Sequence, residues 1–136
     1  MKYDRHLTAT SCGDYELLDS GEGEKLERFG AVIVARPETQ ALWKKQQPEL
    51  WETVDATFSF TTAKGSWKIS KPVPDSWPVV RTGLPLVARL TNFKHVGIFP
   101  EQAPNWEWLR DQVRTSDVLT SEVGHPMSNI PKVLNL

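Results

Sequence analysis

The sequence predicts an α+β fold in which a small antiparallel β subdomain is followed by a helix. Short apolar segments with period-two alternation, separated by turns rich in glycine and proline, continue to about Phe93. A segment with helical periodicity follows near Trp106. The chain has 136 residues, of which 39% are hydrophobic and 24% charged, and this is enough for one globular core.

Turn residues mark the first three predicted strands. Residues 15–20 predict a strand that is closed by a turn over residues 21–24. Residues 25–29 and 31–35 predict two more strands, with Gly30 as the bend between them. The third segment is apolar throughout, as expected for a strand that is buried on both faces.

A short helix and two hairpins are predicted next. Residues 39–46 predict the helix, with Leu42 and Trp43 on its buried side. The two hairpins come from alternating segments that are joined by loops with glycine. Their strands are predicted at residues 57–61, 66–70, 79–81 and 86–90.

The best helical pattern covers residues 104–114. Trp106, Leu109 and Val113 share one face, and Pro104 suits the first turn of a helix. Residues after this helix are polar and contain glycine and proline, which is typical of a linker.

These patterns divide the chain into four parts. They are a β-rich subdomain (1–93), a segment that contains the helix (94–115), a linker (116–131) and an apolar terminal strand (132–136). A buried strand with no following partner has two interpretations. It is either a docked terminus or the first strand of a further domain, and the pattern leaves both open.

Charge and cysteine content restrict the classes of partner. The net charge is −1, so no global basic field indicates nucleic acid or an anionic membrane. Residues 37–100 carry eight basic and five acidic side chains, a net +3, which fits either an RNA-facing surface or a solvated sheet face. Cys12 is the single cysteine, and no segment has enough apolar residues to span a bilayer. A cytoplasmic protein with no membrane partner is expected.

Isolated residues give weaker indications of chemistry. His6, His95, His125 and Cys12 do not have metal-ligand spacing, so no metal site is predicted. The tryptophans, Trp67 and Trp77 among them, have two interpretations, because indole rings stack on nucleic-acid bases and also pack in cores.

Several separated segments together resemble a known family. They are residues 15–21, 24–30, 36–37, 40–44, 91–102, 106–108 and 132–136. In this order they resemble the opening of a group of bacterial class I S-adenosylmethionine (SAM)-dependent methyltransferases similar to the ribosomal RNA cytosine methyltransferases.

The resemblance implies that the cofactor site is incomplete in this chain. In the family, the segment that matches residues 133–136 is the first strand of a doubly wound, Rossmann-like domain, so here it is expected to open a truncated α/β domain. The glycine-containing turn after that strand holds the cofactor. The main SAM site is therefore expected beyond Leu136, with no catalytic residue in this chain, and the isolated chain is predicted to be inactive. RNA is the candidate substrate.

One retained segment is expected to lie beside the cofactor. Residues 97–103 are similar to a family segment of the pattern Gly-aromatic-aromatic-Leu-Asp-Gln-Arg. By this resemblance Phe99 packs on SAM, while Glu101 and Gln102 offer it polar contacts. Ala103 stands where the relatives have arginine, which puts an anion contact there in doubt. The residues without the resemblance favour another interpretation, in which Phe99 is core and Glu101 with Gln102 caps the following helix.

Three functional hypotheses result. In the first, the chain contributes a substrate cover and one wall of the cofactor pocket to an RNA methyltransferase. In the second, it is a stand-alone RNA- or protein-binding module without catalysis. In the third, it is a structural domain that exchanges residues 133–136 with a partner, and the sequence does not determine its oligomeric state.

Overall fold

The computed structural model describes residues 14–61 and 64–120, with side chains up to residue 114 of the helix. The predictions for Cys12, His6, His125 and the terminal strand at 132–136 lie outside the described residues. The chain forms two compact units, residues 1–101 and 102–136.

The described part of the first unit consists of seven strands and two short 3₁₀ segments. The 3₁₀ segments are Pro48–Thr53 and Pro100–Gln102, and the last residue of the second belongs to the second unit. The strands are β1 Tyr15–Gly21, β2 Glu24–Phe29, β3 Val32–Pro37, β4 Ala56–Phe60, β5 Gly65–Ile69, β6 Trp77–Arg81 and β7 Leu84–Ala88. β1 to β5 form one sheet in sequence order, and β6 and β7 form a separate two-stranded ribbon. Helix α1, Ala103–Thr120, belongs to the second unit. The predicted α+β class is confirmed.

The first sheet contains a parallel pairing that the sequence did not predict. β1–β2, β2–β3 and β4–β5 are antiparallel, whereas β3 and β4 run parallel. A parallel pair needs a crossover connection, and residues 38–55, with their 3₁₀ segment, provide it. β3 is central in this sheet, and Val34 on it is fully buried. This agrees with its continuous apolar pattern.

The predicted hairpins are confirmed with small changes at their ends. β4 and β5 pair from Ala56↔Ile69 to Phe60↔Gly65. β6 and β7 close at Arg81↔Leu84, so their turn has only two residues. Those residues, Thr82 and Gly83, have φ angles of 50° and 76°. This backbone matches the twist of the flanking strands, which is why short hairpins favour glycine here.

The helix predicted at residues 39–46 is wrong. The segment instead follows the β1–β2 turn as an irregular chain, in which the carbonyl of Trp43 accepts the N–H of Glu22 at 2.7 Å. Trp43 also donates its indole N–H to the carbonyl of Ser20 at 2.8 Å. Leu42, predicted to be buried, is 86% exposed. Carbonyls that a helix would use internally are taken by the turn, and this outweighs the weak helical pattern.

Helix α1 confirms the predicted helix and extends it. It begins at Ala103, one residue before Pro104, and continues to Thr120. Residues 116–120 are therefore helical rather than part of a linker, and the remainder of the predicted linker lies outside the described residues. In the described part of the chain, no helix is long and apolar enough to cross a membrane.

Candidate functional site

A buried ion pair fastens the segment after β7 to the first sheet. Arg36 on β3 lies 2.6 Å from the carboxylate of Glu27 on β2, and both side chains are buried. The guanidinium also donates to the carbonyl of Lys94 at 3.1 Å. Glu27 also accepts a hydrogen bond from the hydroxyl of Tyr15 at 3.0 Å. Burial and the adjacent Glu27 carboxylate raise the pKa of Tyr15, so its hydroxyl stays protonated and remains a donor.

Residues 91–95 form a compact turn, here called the Thr91 turn. The hydroxyl of Thr91 donates to the carbonyl of His95 at 2.7 Å and accepts the backbone N–H of Phe93 at 3.2 Å. From β5, the indole N–H of Trp67 donates to the carbonyl of Thr91 at 2.7 Å. The turn is thus fixed both internally and to the sheet. The ring of Phe93 is nevertheless 71% exposed.

The β4–β5 hairpin and the Thr91 turn together line an open groove of about 1010 Å³, here called the aromatic groove. Its aromatic cluster is built around Phe58, which is buried and makes edge-on contacts with Phe60 and Trp67 at centroid distances of 5.3 and 5.2 Å. Phe60 is 68% exposed. The groove therefore presents two exposed phenylalanine rings. Phe60 packs against the buried Phe58, and Phe93 lies on the Thr91 turn that Trp67 holds.

The charges that line the aromatic groove have one sign. Lys64 and Lys94 contribute two ammonium groups, and His95 contributes an imidazole. None of the described residues that line the groove is acidic. Such a surface favours an anionic ligand with flat apolar parts.

A smaller pocket of about 170 Å³, here called the polar pocket, adjoins the aromatic groove. The two share Lys94 and His95. The side chains that define the polar pocket also include Lys25, Arg36, Phe99 and Glu101.

Two of the three residues predicted to contact the cofactor meet at this pocket. Phe99 is 46% exposed and stacks at a tilt on His95, with 5.2 Å between ring centroids, so it is not a core residue. Glu101 also lines the pocket and is exposed. Gln102 falls in the second unit, where its side-chain oxygen accepts the amide N–H of Asn105 at 2.7 Å. This contact joins two side chains and engages no backbone N–H of α1, so it is not a helix cap.

The tryptophans proposed for base stacking have separate roles. Trp77 is buried and donates its indole N–H to the carbonyl of Phe29 at 2.8 Å, so it is a core residue. Trp67 lines the aromatic groove. Sequence reasoning missed Phe60 and Phe93. A signal for Phe93 was present, because the large aromatic residue in the polar sequence Thr-Asn-Phe-Lys-His has no apolar neighbours in sequence with which to form a core.

Comparison with solved structures relates this chain to an enzyme of known structure. The chain is similar to a solved SAM-dependent methyltransferase. That protein, from Agrobacterium tumefaciens, is 42% identical over 76% of this chain, with a TM-score of 0.71. The present chain spans about a third of its length, 34%. No family model and no curated protein matches. The predicted resemblance is confirmed at the level of a SAM-dependent methyltransferase.

The residues of the polar pocket fit a part of SAM. Its volume is below the roughly 300–1,000 Å³ of sites that enclose a whole small molecule, so it can form only one side of a cofactor site. The half-exposed ring of Phe99 and the carboxylate of Glu101 suit the sulfonium and ammonium groups of SAM. Lys25, which lines the polar pocket and not the aromatic groove, suits its carboxylate. Among the described side chains, residues 14–61 and 64–114, there is no cluster of three or more potential metal ligands.

Proposed function

We propose that this chain is part of a SAM-dependent methyltransferase that acts on RNA. In this proposal it covers the substrate and supplies one wall of the cofactor pocket. The observation that carries the proposal is the 42% identity to the SAM-dependent methyltransferase over 76% of this chain. Since this chain spans only 34% of that protein, the main cofactor site is proposed to lie beyond Leu136 and the catalytic residues outside this chain.

Within the proposed enzyme, SAM supplies an electrophilic methyl group on a sulfonium centre. Phe99 presents its ring to the cofactor and excludes water from that side. Glu101 attracts the positive groups of the cofactor, and Gln102, the last residue of the 3₁₀ segment before α1, offers an amide. Arg36 holds this wall in place through the carbonyl of Lys94, and does so as a positioning residue.

RNA is the proposed substrate, with a cytoplasmic location. The resemblance to ribosomal RNA cytosine methyltransferases supports this, and so does the aromatic groove, whose described lining has lysines and no carboxylate. Because the groove and the polar pocket share Lys94 and His95, a strand in the groove would reach the proposed cofactor wall.

The test is a methyl-transfer assay with the intact native protein. It is incubated with SAM carrying a labelled methyl group and with total RNA, and the expected result is label that nuclease removes and protease does not. Label in protein alone would contradict the RNA substrate, and binding of RNA without any transfer would favour a binding module without catalysis. The isolated 136-residue chain is expected to transfer no methyl group, and turnover by it would contradict the absence of catalytic residues.

The cofactor wall is tested separately in the same protein. Phe99→Leu removes the aromatic face, and Glu101→Gln removes the charge. Each is expected to raise the KM for SAM by about 2- to 30-fold, corresponding to a cation contact of about 0.5–2 kcal/mol, with kcat changed less. Leu42→Ala, which changes an exposed residue outside both cavities, is the control. An unchanged KM in both variants would remove Phe99 and Glu101 from the cofactor site.

A further inference from the structure

The aromatic groove has features of a ligand site that the proposed cofactor wall does not use. Its two exposed rings, Phe60 and Phe93, come from different elements, β4 and the Thr91 turn. An exposed ring on a flexible loop would lose conformational freedom when a ligand packs on it. Here neither ring is on such a loop, so the groove is prepared for binding.

Hydrogen bonds hold the backbone of Phe93 in place, so that its ring forms a fixed platform. The carbonyl of Phe93 lies 3.2 Å from the indole N–H of Trp67, which also bonds Thr91 at 2.7 Å. The backbone N–H of Phe93 bonds the Thr91 hydroxyl. Both backbone polar groups of Phe93 are therefore engaged, and its side chain is left to the solvent. A fixed and exposed aromatic ring is a stacking surface rather than a core residue.

The Phe60 platform is supported by packing. Phe60 lies edge-on against Phe58, which in turn lies edge-on against Trp67. Gly65, opposite Phe60 in the hairpin, leaves room for this cluster, because a Cβ there would lie 2.1 Å from Phe58. The hairpin thus has no side chain at the position where one would displace Phe58, the support of the exposed ring.

The lining charges select the ligand. Lys64 and Lys94 face the groove, and no acidic residue does so among the described lining. An apolar peptide has no anionic group that could pair with the two ammonium groups. A single-stranded nucleic acid presents both flat bases and anionic phosphates. Duplex RNA is disfavoured, because its bases are stacked internally and have no exposed faces for Phe60 or Phe93.

We infer that the aromatic groove binds single-stranded RNA, with bases stacked on Phe60 and Phe93 and phosphates paired with Lys64 and Lys94. The inference deepens the proposed RNA substrate and rests on that proposal. It adds the binding surface, the residues and the strandedness. RNA binding and methyl transfer are measured independently, so that either can fail alone.

Binding is measured with the 136-residue chain by fluorescence anisotropy. The probe is a labelled oligouridylate of about ten nucleotides, which is unpaired, and the comparison is a duplex RNA of equal length. Tighter binding of the oligouridylate is expected. With two phosphate contacts its affinity should fall by roughly 7-fold between about 50 mM and about 200 mM salt, and Lys64→Ala should reduce the salt slope by about 0.7, the value for one contact to a single strand. No binding of oligouridylate at the lower salt concentration, or equal binding of the duplex, would overturn the inference.

Leucine and tyrosine substitutions separate base stacking from apolar docking. Phe60→Leu and Phe93→Leu keep an apolar side chain and remove the flat ring, so each is expected to weaken binding by about 5- to 100-fold. Phe93→Tyr keeps the ring and should bind like the unchanged chain. If both leucine variants bind RNA normally, the groove is not the RNA site, even where the intact protein methylates RNA. If they lose binding but the intact protein methylates only other substrates, the groove assignment stands and the RNA substrate fails.

Discussion

The β1–β3 part of the sheet and the aromatic groove use polar and aromatic residues in opposite ways. In β1–β3 the charged groups are inside, where Glu27 pairs with Arg36. In the groove the aromatic groups are outside, and Phe60 and Phe93 are exposed. A buried charge is stable only when it is paired with an opposite charge. An exposed aromatic ring keeps apolar surface in contact with water, which is unfavourable, and a ligand that packs on the ring buries that surface. The first region therefore stabilises the fold, and the second is available for a ligand. Substitutions should separate the two regions by their effect on stability.

The largest loss of stability is expected when the buried ion pair is broken. Glu27→Ala leaves Arg36 buried without its carboxylate and should lower the free energy of unfolding by about 3–5 kcal/mol. Glu16→Ala is a matched control, since Glu16 also pairs with an arginine, Arg28, at 3.0 Å but at the surface. It should cost less than about 1 kcal/mol. Urea denaturation of the three chains measures both. Equal losses would show that burial does not distinguish the two pairs.

The next largest loss of stability is expected when Asp19 on β1 is substituted. Its carboxylate accepts four N–H groups, from Trp51, Gln47, Ser20 and Gln46. Burial alone would raise the pKa of Asp19, but these hydrogen bonds to the ionised form outweigh it and lower the pKa. Asp19→Asn replaces one of the two accepting oxygens with an NH2 group that cannot accept from the facing N–H donors, and it should cost about 1.5–3 kcal/mol of unfolding free energy.

The pH dependence of that difference provides a second readout. Because the pKa of Asp19 is lower in the folded chain than the roughly 3.9 of an unfolded aspartate, its stabilisation is complete above about pH 4 and is lost as the pH falls through the folded value. The stability difference between the unchanged chain and Asp19→Asn should therefore shrink in acid. Asp75→Asn, at an exposed position, is the control. A difference that stays constant below pH 4 would contradict the role of the ionised form.

Local patterns predicted the strands, because alternation and turn residues act over a few neighbours. The hairpins β4–β5 and β6–β7 follow from such signals. The parallel pairing of β3 with β4 does not, since it depends on a crossover whose path no local pattern determines. The failure at residues 39–46 has the same origin. A marginal helical pattern lost to bonds with the β1–β2 turn, which is far along the chain from Trp43.

The candidate site divides in the same way. Phe99, Glu101 and Gln102 were predicted from a contiguous segment that resembles a family motif, and their cofactor contacts remain predictions. The aromatic groove was not predicted, because its parts meet only through long-range bonds. The indole of Trp67 reaches the Thr91 turn, and Arg36 reaches the carbonyl of Lys94 across 58 positions of sequence. No local pattern contains that information.

A smaller loss of stability is expected when either of two indole N–H donors is removed. Trp67→Phe and Trp43→Phe each remove one donor that bonds a backbone carbonyl, Thr91 and Ser20 respectively. Each should lower the free energy of unfolding by about 1 kcal/mol. Only Trp67→Phe releases the Thr91 turn, so only this variant should weaken binding of oligouridylate. Equal RNA affinities in the two variants would mean that the turn does not position Phe93 for binding.

The smallest stability effect should accompany the largest binding effect. Phe60 and Phe93 are mostly exposed, so Phe60→Leu and Phe93→Leu should change the free energy of unfolding by less than about 0.5 kcal/mol, measured by urea denaturation. Phe58→Leu is the matched comparison, because the same substitution at the buried centre of the cluster leaves a cavity and should cost more than about 1 kcal/mol. If Phe60→Leu and Phe93→Leu lower the free energy of unfolding as much as Phe58→Leu does, the two exposed rings belong to the solvent-accessible edge of the core. If they contribute nothing to stability and binding depends on them, their exposure is explained by the ligand.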